Sequence, residues 1–152
     1  MVAVLAIVWL TADFSAEHLS VAPSNQNGAG VHAGVQIEFP LQPLSFSLTG
    51  RAGATHAGEW RPIFEGGAKL AWRDTIEMYG GLRHDERLRR EGALADFRDP
   101  TGRAFVGVGL TPLRRGAFSA GATIEYEHAL PGVDRLGPGV RATAVVRFRA
   151  RA

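Results

Sequence analysis

Apolar and polar residues alternate one by one along most of the chain, from about residue 10 onward. A period of two is typical of a β-strand whose two faces meet different environments, and no helical period of 3.6 is sustained at useful length. In the segment 31–39, for example, Val35 and Ile37 lie on one face, and Gln36 and Glu38 lie on the other. The alternation predicts strands at 10–17, 31–39, 44–52, 64–73, 76–83, 103–110, 118–127 and 140–149.

The connections between these segments alternate in length. Longer connections are predicted at 23–29, 54–60, 86–102 and 129–138, and short ones at 40–43, 73–75 and 114–116. Long loops would therefore fall at one end of the sheet and tight turns at the other, together with both termini, as in bacterial outer-membrane barrels. The predicted fold class is all-β: an antiparallel up-and-down transmembrane β-barrel of about eight strands.

Alternation alone does not distinguish a membrane barrel, apolar outside, from a soluble lipocalin-like barrel with an apolar interior. The polar face decides in favour of the membrane barrel, because it mixes small residues with charges of both signs. The lumen of a narrow barrel has room for little more than such side chains, and charges buried there must neutralise one another. A soluble barrel that binds an apolar ligand, and a fragment of a larger fold, remain alternatives.

The chain of 152 residues has the length of a single domain, 1–152, in which residues 1–10 are either a truncated signal or the lead into the first strand. Of its 17 cationic residues only Lys69 is a lysine, and the arginines are interspersed with acidic residues, so nucleic-acid binding is not expected. There is no cysteine, which is compatible with an oxidising periplasm. No cofactor is predicted.

Strand register brings opposite charges together on the polar face. The tight turn between the fourth and fifth strands places Glu65 opposite Arg83, and that between the sixth and seventh places Arg103 opposite Glu127. These two pairs are the predicted lumen charge pairs. We also interpret Gly107 as making room in the lumen.

The histidines are scattered. The turn between the second and third strands would place His32 beside Arg51, which is not a favourable pair. No two histidines have the close spacing of a metal site, and no metal is predicted. The others outside the first strand lie on or near the long connections: His56, His84 and His128.

Across nearly all its length the pattern resembles the small eight-stranded outer-membrane barrels, a class that includes the transmembrane domain of outer-membrane protein A and the lipid A deacylases. The run 18–22, which contains His18 and Ser20, is similar to the catalytic segment of the deacylases, where a His activates a Ser on the lipid-facing wall. That family places an acidic residue on the following strand, where this chain has Val31, His32 and Ala33.

The resemblance implies a bacterial outer-membrane location. We expect a structural or surface-interaction barrel whose lumen is filled by paired charges and passes little, and a deacylase-like hydrolase that uses His18 and Ser20 is the alternative. The expected partners are outer-membrane lipid and lipopolysaccharide, whose phosphates the arginines of the loop 86–102 could contact. Any protein partner is unknown from the sequence.

Overall fold

Each strand of the chain pairs in antiparallel fashion with the next, and the last returns to pair with the first, which closes the sheet. This computed structural model describes residues 5–21, 24–56, 59–85, 102–130 and 137–152. The prediction of an all-β up-and-down barrel of eight strands is confirmed. The strands are β1 (Ile7–Val21), β2 (Ser24–Leu41), β3 (Leu44–His56), β4 (Trp60–Trp72), β5 (Ile76–Asp85), β6 (Gly102–Arg115), β7 (Phe118–Ala129) and β8 (Gly139–Arg151).

Several strands run further than the alternation predicts. Residues 24–29 and 54–56 belong to predicted loops, but they extend β2 and β3, and β1 already begins at Ile7. At that end of β2 the residues are polar or small on both faces, as in Asn25 and Gln26, so the period of two fades although the hydrogen-bonded ladder continues. Most of the predicted loop 86–102 lies outside the described residues.

The predicted register is correct between β4 and β5, where Glu65 lies opposite Arg83. It is wrong by two residues between β6 and β7, where Arg103 lies opposite Ala129. The turn there consists of Gly116 and Ala117, with Gly116 in the left-handed region at φ 59°. A register shift between Leu110 and Leu113 then displaces the ladder.

The register between β2 and β3 also differs from the prediction by two residues. Pro40 and Leu41 continue the ladder, so the turn contains only Gln42 and Pro43. As a result His32 lies opposite Gly53 on β3, and the prediction that His32 lies beside Arg51 is wrong.

The two faces of the barrel carry opposite chemistry. Large apolar side chains point outward on all eight strands, Phe14 being 65% and Ile124 60% exposed. Acidic and basic side chains are buried inside, with Arg103 and Glu127 both at 0% exposure. Among the described residues, few apolar side chains are buried in the lumen, for example Leu19, Ile63 and Phe105. In the described ranges no helix is long and apolar enough to cross a bilayer.

Candidate functional site: the charged lumen

Glu65 and Arg83 are buried together in the lumen. The Arg83 Nε donates to Glu65 Oε2 at 3.0 Å, and the other carboxylate oxygen of Glu65 accepts from Arg51 Nε at 2.5 Å. Arg83 also donates to Glu125 Oε2 at 2.6 Å and to Glu127. Arg83 therefore serves three carboxylates, and its contact with Glu65 is one part of a larger network.

Arg103 and Glu127 meet although they are not opposite one another in the ladder. Arg103 Nε lies 3.3 Å from Glu127 Oε2, a diagonal contact between β6 and β7. Glu127 Oε1 accepts from Arg141 Nε at 2.6 Å, and Arg141 Nη1 donates to Glu17 Oε2 at 2.8 Å. Arg83 and Arg103 are opposite one another in the ladder, and Glu127 neutralises both.

The network continues around the barrel through Asp13. Its two carboxylate oxygens accept from Arg51 Nη1 at 2.6 Å and Arg147 Nε at 3.0 Å. Glu77 Oε2 lies 4.0 Å from Arg147 Nη1 and 3.3 Å from Lys69 Nζ. In the described part of the lumen, six acidic and six basic side chains form this one network: Asp13, Glu17, Glu65, Glu77, Glu125 and Glu127 with Arg51, Lys69, Arg83, Arg103, Arg141 and Arg147.

Glycines let side chains reach across a strand to the strand beyond it. Tyr79 on β5 donates its hydroxyl to Glu125 Oε1 on β7 at 3.0 Å, and between them lies Gly107 of β6. A Cβ at Gly107 would lie 2.9 Å from both Tyr79 Cζ and Glu125 Cγ. Gly34 of β2 has the same position beneath Arg51, which reaches from β3 to β1.

The cavity left between these side chains is small. It measures about 80 Å³ and is lined by network residues together with His32 and Thr11. Pockets that hold organic ligands typically measure about 300–1,000 Å³. His32 is buried, and neither of its ring nitrogens has a hydrogen-bond partner among the described residues. The imidazole fits against β3 because its neighbour there is Gly53, whose added Cβ would lie 2.8 Å from His32 Cδ2.

His18 and Ser20 lie on the outer face of β1, and both are exposed. His18 Nδ1 is 2.7 Å from Asn27 Oδ1, its neighbour on β2. On the other side β8 places Ala142 beside His18 and Val140 beside Ser20. The residue that orients the imidazole is thus an amide, at a position where the sequence pattern predicts a loop.

A second set of polar contacts closes the short-turn end. Trp9 Nε1 donates to Glu38 Oε2 at 2.8 Å, and the Arg149 guanidinium carbon lies 4.8 Å from the Trp9 ring centre. At the rim, Arg114 Nη1 donates to Asp74 Oδ2 at 2.5 Å. Partial burial acts to raise the pKa of Asp74, but Arg114 outweighs it and the pKa lies below its usual value.

No protein-family model and no curated protein matches this sequence. Neisserial surface protein A matches with a TM-score of 0.50 and 14% identity, over 95% of this chain and 98% of that one. The N-terminal β-barrel domain of Pseudomonas aeruginosa OprF matches with a TM-score of 0.53 and 16% identity, over 92% and 97%. The chain has the fold of the small eight-stranded outer-membrane barrels. At these identities the similarity concerns the fold alone.

Proposed function

We propose that this chain is an integral outer-membrane barrel with a structural or surface-interaction role, whose lumen is closed by its own side chains. The observation that carries the proposal is the neutral network of the lumen. Six acids and six bases occupy the space through which a solute would pass, and each is held by at least one opposite charge. Moving a single charged side chain out of such a network would leave its partners buried and unpaired.

The outer surface supports a membrane location. Exposed apolar side chains form a continuous band around the barrel, and in water such a band would be an aggregation hazard. A soluble barrel with an apolar ligand in its lumen does not fit, because the lumen is lined by ionised groups. Contact with outer-membrane lipid follows from the proposal. Contact with lipopolysaccharide through the loop 86–102 stays a prediction, since most of that loop lies outside the described residues.

Two measurements on the purified protein test the proposal. A folded membrane barrel is expected to migrate faster on a denaturing gel before boiling than after it, and to stay in solution only with detergent or lipid. Vesicles that contain it should swell in small sugars no faster than empty vesicles, while vesicles with a general porin swell rapidly. Detergent-independent solubility, or swelling at the rate of the porin control, would contradict the proposal.

A hydrolase that acts on lipid is the second candidate, favoured by the contact between His18 and Asn27. A hydrogen bond from a neighbouring side chain can fix the tautomer and orientation of an imidazole that activates a serine. An amide cannot stabilise the imidazolium as a carboxylate does, so we expect no release of fatty acid from lipid A. Release that is lost in both Ser20→Ala and His18→Ala, with similar and non-additive losses, would establish the hydrolase instead.

A further inference from the structure

The short-turn end of the barrel carries arginines that the protein does not neutralise. The turn between β4 and β5 contains Arg73 and Asp74, and β6 ends with Arg114 and Arg115. Asp74 is the one carboxylate among these four residues, and it forms an ion pair with Arg114. In the described ranges neither Arg73 nor Arg115 has a carboxylate within ion-pair distance, and both are exposed.

The ion pair between Arg114 and Asp74 connects the end of β6 to the turn between β4 and β5. The hydrogen bond from Thr111 N to Thr75 O at 2.7 Å connects the same turn to β6. Arg73 directly precedes Asp74 in the chain and Arg115 directly follows Arg114, so the two flank the ion pair. The result is a local excess of positive charge at the rim.

This excess of charge lies where the apolar outer face ends. The guanidinium carbon of Arg73 is 4.9 Å from the centre of the Trp72 ring, which is itself 44% exposed. Arg115 lies opposite Phe118 in the ladder and two residues beyond Leu113, which are 58% and 67% exposed. Tryptophan and arginine side by side at the edge of an apolar band are typical of the level of lipid headgroups.

We propose that Arg73 and Arg115 form a binding site for the phosphate of an anionic phospholipid in the leaflet at the short-turn end. This inference rests on the proposed membrane location. A guanidinium group matches the geometry of a phosphate and can donate two hydrogen bonds to it. A zwitterionic lipid also has a phosphate, but its own ammonium group competes for it, so a lipid with net negative charge is preferred.

Fluorescence quenching of Trp72 by brominated lipids tests the site, since this indole lies directly beneath Arg73. The parent for the experiment is the full chain with Trp9→Phe and Trp60→Phe, reconstituted in vesicles of brominated phosphatidylcholine or brominated phosphatidylglycerol diluted into unlabelled phosphatidylcholine. We expect the phosphatidylglycerol to be about two- to fivefold enriched at Trp72 at low salt, because one arginine near an anionic surface accounts for about a fivefold preference. High salt should reduce the enrichment.

The double variant Arg73→Gln and Arg115→Gln should abolish the enrichment while quenching by phosphatidylcholine persists. The matched control is Arg61→Gln at the opposite end, whose guanidinium pairs with Glu59, and it should behave as the parent does. Equal quenching by the two lipids in the parent, or an equal loss in the Arg61 control, would overturn the phosphate site and leave the membrane location standing. Absence of quenching by either lipid would overturn the membrane location as well.

Discussion

Arginine–carboxylate ion pairs occur both in the lumen and at the short-turn rim, but in opposite surroundings. Arg83 donates to Glu125 at 2.6 Å in the lumen, and Arg114 donates to Asp74 at 2.5 Å at the rim. The lumen side chains are 3% and 5% exposed, whereas those at the rim are 36% and 39% exposed. The donor–acceptor distances of the two ion pairs are therefore nearly equal. The difference in burial determines how much stability is lost when one partner is removed.

Reversing a lumen charge should give the largest effect. Arg83→Glu brings a fourth carboxylate among Glu65, Glu125 and Glu127, so we expect it to prevent folding into detergent micelles. The milder Arg83→Gln should lower the free energy of unfolding by about 3–5 kcal/mol, measured by urea titration of the gel-shifted folded form. A loss below about 1 kcal/mol for Arg83→Gln would show that burial does not set the scale.

The charge swap Glu65→Arg with Arg83→Glu distinguishes a network from an isolated pair. The swap restores the pair itself, but the new carboxylate at position 83 would still face Glu125 and Glu127. The new guanidinium at position 65 would face Arg51. We therefore expect the swap to recover less than half of the stability lost in Glu65→Arg. Full recovery in the same urea titration would mean that Glu65 and Arg83 act as an independent pair.

Filling the space beneath a crossing side chain should cost less than breaking the network. Gly107→Ala would push its new methyl group against Tyr79, Glu125 and the backbone oxygen of Ile124, so we expect a loss of about 1–3 kcal/mol in the free energy of unfolding. Gly50→Ala is the matched control, because a Cβ there meets no atom within 4 Å. Equal stability of the two variants would argue against the crossing contacts over β6.

At the rim, truncation should have a small effect. Arg114→Gln removes a half-exposed ion pair, and exposed pairs contribute about 0.2–1 kcal/mol. The free energy of unfolding should therefore fall by less than about 1 kcal/mol. A loss as large as that of Arg83→Gln would remove the distinction between the two regions.

Acid should weaken the rim pair, and this is the smallest effect that we expect. Because the pKa of Asp74 is lower in the folded chain, its contribution to stability is fully present above its unfolded pKa and is lost as the pH falls through the folded value. The parent and Asp74→Asn should thus differ in thermal midpoint at about pH 6 and converge below about pH 4, near the usual pKa of aspartate. A difference that grows on acidification would contradict the sign.

The sequence predicts the fold because each strand meets lipid on one face and a charged lumen on the other. It predicts the approach of Glu65 to Arg83 for the same reason, since a tight turn sets their register. It does not predict Arg83 with Glu125, because that contact crosses β6 and depends on barrel curvature. Inward-facing glycines such as Gly107 and Gly34 are the local signal of such crossings.

Prediction fails elsewhere where the alternation fades or a turn is ambiguous. Asn27 falls in a predicted loop because its stretch of β2 is polar or small on both faces, so the pattern does not reveal its contact with His18. The predicted register of Arg103 is displaced because nothing in the sequence separates the predicted three-residue turn that ends at Gly116 from the two-residue turn that begins there. A register error of two residues keeps every side chain on the same face, so a pattern of period two does not reveal it.

Single-channel conductance tests most directly whether the buried network closes the lumen. The protein is inserted into a planar bilayer at high, symmetrical KCl concentration, and insertion is verified by recovery of heat-modifiable protein from the same membrane preparation. We expect no current steps above the empty bilayer. Charged side chains fill the lumen, neutralise one another there and leave a cavity of only about 80 Å³. Stable, frequent steps of the size of an open water-filled pore from the unmodified chain would contradict the account.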